Sequence, residues 1–558
     1  MSAKKSNNFL VQGSILAVAS LIVRMIGLIY RIPMIRIIGN EGFGYYQYAF
    51  EVYSIALILS SYSFPLAVSK LVAVRRVNKE HKNAYRVFLS AMCFAIVVGL
   101  IATLIIFFGA DFLALAISDD INVALPLRVL APTIFVFAVM GVLRGFYQGK
   151  NSMIPTAVSQ VLEQVVNAVV SVVAAYLLMK NFNLSANVAV YGAAGGTLGT
   201  FIGAFVGLLF LLFVFVLYKP ILNKQMRNDT TEKRESYRDI FKLLLLTISP
   251  IILSQTVYQI SGVIDGSLFG HIMATKGITT FDQEVLLKSV VGELYSRPYI
   301  KSLYGIYGKY RLLSNLPVAI ATAMGAAIVI SITASKARGM ESAIRSKVQA
   351  AIKFNMIIAI PSAVGMGVLA APIIQMLFPD TTDQLTANLL RLGAISIVFY
   401  ALSTITTAIL QGINRLRIPV INAAISLGLH IIVVFVLLKY TPLSTYSLII
   451  GNVTFPLLVC ILNWVSIEKY LNYRQEIIKT FIIPTVSAGL MGVATYFTYY
   501  GMKLWTGRNM VSTLTAIIVA IVVYLALLVF MKGVDKEELE NMPKGERIIR
   551  VLRRLHLL

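Results

Sequence analysis

Long apolar runs, separated by short polar and charged stretches, follow one another from end to end of the chain. An α-helix needs about 20 apolar residues to cross the hydrocarbon core of a bilayer. Fourteen runs meet that length, at residues 9–36, 43–72, 86–109, 123–147, 153–179, 188–218, 241–270, 306–334, 349–377, 387–411, 418–438, 446–467, 480–500 and 511–531. Pro65, Pro132, Pro317, Pro361 and the pair Gly195-Gly196 lie inside them. Such residues fit packed or kinked spanning helices, because neighbouring helices satisfy the backbone groups they free. The pattern predicts an all-α polytopic membrane protein with 14 transmembrane helices.

Composition excludes the alternatives. Of 558 residues 58% are hydrophobic and 13% charged, with a mean hydropathy of +0.80. Soluble domains carry about 25% charged residues, so a soluble enzyme, a disordered tail and a disulfide scaffold are ruled out. Cys93 and Cys460 both fall within predicted helices. The net charge of +24 admits a nucleic acid or a membrane surface as partner, and position decides between them. With the amino terminus set on the cytoplasmic side, 33 of the 49 Lys and Arg residues fall near inner helix ends and 12 near outer ones. This asymmetry predicts both termini on the cytoplasmic side of the membrane and assigns the basic balance to the inner face rather than to nucleic acid. The first run follows Lys4 and Lys5 but is too long for a signal peptide and lacks a cleavage site, so it reads as the first spanning helix.

The sequence also echoes itself. Gln148-Gly149-Lys150-Asn151 closes the fourth run, and Gln411-Gly412-Ile413-Asn414 closes the tenth, 263 residues later. Phe64-Pro65-Leu66-Ala67 and Leu316-Pro317-Val318-Ala319 form a fainter pair, 252 apart. Both offsets carry helix n onto helix n+6. The expected organisation is an N-lobe at 1–220, a cytoplasmic linker at 221–240, a C-lobe at 241–470, two extra helices at 471–532 and a basic tail at 533–558. An even offset predicts parallel repeats about a pseudo-twofold along the membrane normal, with a central cavity suited to alternating access.

Four motifs then carry a family resemblance: Phe64-Pro-Leu-Ala-Val-Ser-Lys70, Leu143-Arg-Gly-Phe-Tyr-Gln-Gly149, Pro155-Thr-Ala-Val-Ser-Gln-Val-Leu-Glu163-Gln and Ala408-Ile-Leu-Gln-Gly-Ile-Asn414. Together they resemble the polysaccharide-biosynthesis branch of the multidrug/oligosaccharidyl-lipid/polysaccharide exporter superfamily. Within it they look most like the stage V sporulation protein B and lipid II flippase group. The resemblance implies a flippase for lipid-linked peptidoglycan precursor (lipid II), an undecaprenyl-diphosphate disaccharide-pentapeptide, coupled to Na⁺, H⁺ or the membrane potential. It also implies contact with the cell-wall synthesis machinery.

A diphosphate-sugar headgroup is a polyanion, so its path through the membrane calls for cations, above all Arg with its bidentate fork. Ionisable residues within the membrane are costly and are therefore functional candidates. Arg24 lies centrally in the first helix, too deep to reach water easily, in an Arg-x-x-Gly resembling that of the flippase's first helix. Arg31, near the outer end, resembles a second family arginine shifted by one position and has the length to snorkel. Arg311, before Pro317, resembles another, spaced one residue further. The family's helix 2 arginine has no counterpart in 51–63; Lys70 replaces its charge or anchors the inner helix end. Glu51 is expected to pair with a cavity arginine, and Glu163 to brace the turn after the fourth helix, with Arg144 as partner. Arg128 and Arg391, equivalent under the repeat, read as structural residues near the outer surface.

For coupling, Asp265 is a lone carboxylate in the seventh helix, where some members of the flippase group place an aspartate in a sodium site. Asn422, Ser426, Asn452 and Thr454 offer oxygen ligands suited to a hard cation. His430 reads as a packed polar residue rather than a proton relay. An enzyme such as a polytopic glycosyltransferase would need a large outer domain, whereas Asp282, Glu284 and Glu293 are dispersed over one short loop. A drug antiporter would want acids in its cavity, and the central charge is Arg24. Other cargoes of the same chemistry, teichoic-acid or exopolysaccharide units, and a scaffold of the envelope-synthesis machinery stay open.

Overall fold

The computed structural model describes residues 2–231, 234–278, 294–379 and 384–534, and no β-strand occurs among them. Asp282, Glu284, Glu293, the Asp380–Asp383 acids and nearly all of the basic tail lie outside the described residues. The helices are α1 Ser2–Leu57, α2 Phe64–Val77, α3 His81–Phe108, α4 Ala110–Ser118, α5 Ala124–Gly149, α6 Ile154–Asn181, α7 Val188–Arg227, α8 Tyr237–Ala274 and α9 Arg297–Ala337. They continue as α10 Glu341–Val368, α11 Ala370–Leu377, α12 Gln384–Gly393, α13 Ser396–Gly412, α14 Arg417–Tyr440, α15 Thr445–Leu471, α16 Ile483–Thr506 and α17 Asn509–Phe530.

All fourteen predicted runs lie on helix. Among the described residues ten spans are long and apolar enough to cross a membrane, or eleven if the bent pair α12 and α13 counts as one. The first two runs share one of those ten, and α8 and α9, which carry two more runs, are not among them. Gly39, at φ 69°, breaks α1 between the first two runs. That left-handed conformation carries no Cβ penalty for glycine.

Several helices are built inside out relative to a soluble protein. α17 buries Ser512, Thr513, Ala516 and Ala520 while exposing Ile518, Val522 and Phe530. α7 buries a run of glycines and alanines and turns Phe205, Leu209 and Phe213 outward. Lipid is as apolar as leucine, so membrane helices gain most by close approach through small residues and by internal hydrogen bonds. This pattern, with the spans, makes the chain a multi-pass membrane protein.

The described chain forms two compact units, one from residues up to 278 together with 294–308, the other from 309 onward. The first has a core built from α2, α3, α5, α7 and α8, including Phe64, Val68, Phe88, Phe146, Leu211 and Leu244. Helix α8, read from sequence as the start of the second lobe, thus packs in the first unit. The core of the second joins α9, α10, α13 and α15 to the last two helices through Ile352, Met356, Ile405, Cys460, Met491 and Tyr524. The Tyr524 hydroxyl donates to the Ile357 carbonyl at 2.9 Å.

The repeated motifs have a packing reason. In the first unit Leu143–Gly149 and Phe64–Lys70 face each other: a Cβ on Gly145 would lie 2.8 Å from Val68 Cβ, and one on Gly149 2.7 Å from Val72 Cβ. Asn151 and Asn414 both stand at φ 61°, each closing its turn in the left-handed region that Asn tolerates best after Gly. The hydrogen bonds match, Ser152 N–H to Tyr147 O at 3.0 Å and Arg415 N–H to Leu410 O at 2.9 Å. A cation from an earlier helix caps each turn: Arg76 Nη1 donates to Lys150 O at 2.7 Å, and Lys336 Nζ donates to Ile413 O.

Candidate functional site

The first unit gathers Arg24, Arg31, Lys70, Glu51, Asp265, Arg144 and Glu163. Arg24 and Lys70 are exposed on α1 and α2. Arg31 is only partly buried. Its Nε is buried without a hydrogen-bond partner and its guanidinium lies 5.9 Å from the Phe50 ring centroid. The hydroxyl of Tyr46, whose ring stacks on Phe50 at 4.5 Å, is buried beside it. An aromatic wall therefore holds a cation in a setting where a donor left unsatisfied costs about 1–3 kcal/mol.

Glu51 sits on the next stretch of α1 with its carboxylate against Gly262 of α8. One turn further along α8, Asp265 is only 4% exposed, so it is not a solvent-facing helix-end acid. Tyr48 donates to Gly266 O at 3.1 Å, Tyr304 donates to Gly262 O at 3.4 Å, and their rings stack at 4.2 Å. Hydroxyl clamps on either side thus fix the segment that carries Asp265.

At the turn after α5, Arg144 Nη2 pairs with Glu163 Oε2 at 2.8 Å, and its Nε donates to Ser159 Oγ at 3.0 Å. Both side chains are largely buried, at 9% and 17% exposure. Gln148 and Gly149 complete this turn, as Gln411, Gly412 and Asn414 complete its repeat. Arg128 pairs with Asp111 at 2.5 Å.

The second unit holds the other candidates. Arg311 is half-buried on α9. Next to it Tyr310 is fully buried, its hydroxyl within 3.1 Å of Asn452 Oδ1 and 2.8 Å of Ser396 Oγ. Asn422 Nδ2 donates to Asn463 Oδ1 at 2.9 Å, Ser426 donates to Asn422 O at 2.8 Å, and Thr454 donates to Gly451 O at 3.2 Å. The Ser426 and Thr454 hydroxyls bond back within their own helices, and the Asn422–Asn463 bond forms a polar seam between α14 and α15. His430 joins it, buried against Phe455 with Nδ1 3.1 Å from Gly451 O. Among the described residues no three His, Cys, Asp or Glu side chains form a group that would hold a metal ion.

Sequence reasoning missed two clusters. Lys301 and Asp120, each 1% exposed at the side chain, lie 3.9 Å apart. Lys301 Nζ donates to Ser118 O at 2.7 Å and sits 4.5 Å from the Tyr48 ring centroid, while Tyr45 donates to Asp120 Oδ2 at 3.2 Å. The adjacent acids Asp119-Asp120 were the available signal, since aspartates beside a helix end need a partner when buried. The second cluster pins the linker. Arg75 forms a bidentate pair with Glu235, and Asp229 Oδ2 accepts from Lys82 N–H at 2.6 Å. Burial works against the Asp229 carboxylate, but hydrogen bonds from Lys82 and Thr231 prevail and hold it below the usual range.

Residues 10–329 match the family model described as polysaccharide biosynthesis protein, and 305–532 match that of the lipid II flippase MurJ. The chain is 25% identical to the lipid II flippase MurJ of Bacillus subtilis (strain 168) over 495 residues, 86% of each chain. It is 24% identical to stage V sporulation protein B of the same organism, over 97% of this chain and 99% of that one. A solved structure of lipid II flippase MurJ, in an inward closed conformation, shares the fold with a TM-score of 0.64 at 15% identity, covering 92% of this chain and 97% of that one. With the first model covering more than half its length, the chain belongs to the polysaccharide biosynthesis protein family.

Proposed function

We propose that this protein is a flippase that moves lipid II, an undecaprenyl-diphosphate disaccharide-pentapeptide, from the inner to the outer leaflet of the bacterial cytoplasmic membrane by alternating access. Both termini are cytoplasmic, and the product serves wall or spore-cortex synthesis. The observation that carries the reading is the match to the lipid II flippase family along 305–532, joined to a relative of that name aligned over 86% of each chain. The chemistry agrees. Arg24 and Arg31 place cations on the first helix, as a diphosphate passing through a low-dielectric slab requires. In this scheme Arg24 and Arg311 contact substrate, and the aromatic wall holds Arg31 in place. Asp265 couples transport to Na⁺ or H⁺.

A second reading keeps the mechanism and changes the glycan. The relation to stage V sporulation protein B covers nearly the whole chain, so a different undecaprenyl-diphosphate-linked unit is the alternative cargo. Complementation of a strain depleted of its lipid II flippase, with accumulated precursors identified by mass spectrometry, separates the two. Growth with clearance of lipid II supports the first. No rescue, with another lipid-linked glycan cleared in its own mutant, supports the second. Arg24→Ala is expected to abolish the rescue while the protein still reaches the membrane; full rescue would remove Arg24 from the path. Asp265→Asn is expected to change the ion dependence of transport, and an unchanged dependence removes its coupling role.

A further inference from the structure

Both halves of the chain build the same turns on one of their faces. The α2–α3 turn has Lys79 at φ 63°, and the α9–α10 turn has Gly339 at φ 69°, 260 positions later. Each is followed by an equivalent backbone hydrogen bond, Glu80 N–H to Arg75 O at 2.9 Å in the first and Met340 N–H to Ser335 O at 3.1 Å in the second. Around these turns the first unit supplies its own counter-groups. Asp229 takes the Lys82 amide, Glu235 takes Arg75, and Gln225 Oε1 accepts from Lys150 Nζ at 3.0 Å.

In the second unit the equivalent turns border an open pocket of about 390 Å³. Its walls include Lys336, Arg345, Arg415, Tyr470, Asn472 and a single acid, Glu341. Three cations face one carboxylate. Arg345 meets that carboxylate only at 4.0 Å, with both side chains exposed, a pairing that holds little energy. Arg415 lies 4.4 Å from the Tyr470 ring centroid. Stacking uses the face of a guanidinium and spares the N–H edge that binds phosphate oxygens in pairs.

We infer that this pocket binds a phosphate group, whose negative charge balances the Arg345 and Arg415 guanidiniums that a single exposed acid leaves in excess. The group belongs either to a phospholipid headgroup of the surrounding membrane or to a soluble phosphate compound. Basic pockets between the ends of membrane helices are suited to both. The inference does not depend on which glycan the protein carries.

The test uses the purified full-length protein in neutral detergent with two probes. Inorganic pyrophosphate is titrated by calorimetry, and phosphatidylglycerol is added in mixed micelles with retained lipid counted by native mass spectrometry. Saturable binding in the first arm identifies a soluble ligand, and in the second a headgroup. In either arm Arg345→Gln and Arg415→Gln each weaken binding about tenfold or more, the loss of one charge-assisted contact. Glu341→Gln tightens it, a gain that misfolding would not produce. Failure of both probes to bind, or binding indifferent to all three substitutions, overturns the proposal. Binding lost in Arg24→Ala but intact in Arg415→Gln belongs to the transport cation and overturns it as well.

Discussion

Replacing Glu163 with leucine while Arg144 stays in place isolates what that pair does. The ions are 2.8 Å apart and nearly buried, so their attraction at an effective dielectric near 20 is ~6 kcal/mol. Removing two charges from water costs several kcal/mol for each ion, so the intact pair comes close to break-even. The single substitution takes away the attraction and leaves the desolvation. Arg144 then keeps only Ser159, and the expected loss of stability is ~3–5 kcal/mol. The double variant Arg144→Met/Glu163→Leu removes both ions and is expected to lie within ~1 kcal/mol of the parent. Unfolding in mixed micelles, followed by circular dichroism, measures the cycle. A single-variant loss below ~1 kcal/mol, the size of an exposed pair, would refute the burial argument. So would a double variant as damaged as the single one. If Glu163 instead carried ion coupling, Glu163→Gln would abolish transport at unchanged stability.

Three further outcomes follow from the geometry. Asn151→Ala and Asn414→Ala should each cost ~1 kcal/mol in the same unfolding assay, with the glycine variants near neutral, because both positions are left-handed. Gly145→Leu should cost ~1–3 kcal/mol or more and lower cysteine cross-linking between α2 and α5, since even a Cβ falls 2.8 Å from Val68 Cβ. Asp229, held below its ordinary carboxylate value of 3.8, contributes its full stabilisation of the linker above that pH and loses it as pH falls further. Hydrogen exchange over 229–231 should show protection that drops below pH 3.8 in the parent protein, and lower protection without that step in Asp229→Asn.

Much of the architecture was legible from local patterns. Apolar length located every helix except the short α4, because a bilayer demands it of any spanning segment. The Gln-Gly-x-Asn echo marked two turns that share one backbone geometry, since few residues accept φ near 60°. Arg144 and Glu163, nineteen positions apart on consecutive helices, invited pairing before any coordinates. The number of spans was less secure: Gly39 divides one unbroken helical stretch, and a hydropathy run does not report such a break.

The burial of charge was not legible. Arg31 reads from sequence as a residue with the reach to meet water; that its guanidinium also lies 5.9 Å from the Phe50 ring centroid is a neighbourhood no local pattern announces. Lys301 and Asp120 are 181 positions apart, and no periodicity links them. Only the fold brings α9 beside the end of α4. The placement of α8 with the first unit is of the same kind, because it depends on which side chains interdigitate rather than on how apolar they are. The sequence by itself therefore determined a polytopic helical membrane protein, its repeated turns and the cations available to a polyanion. Tertiary structure decided which ions are buried and with whom, because desolvation is set by neighbours brought together across hundreds of residues.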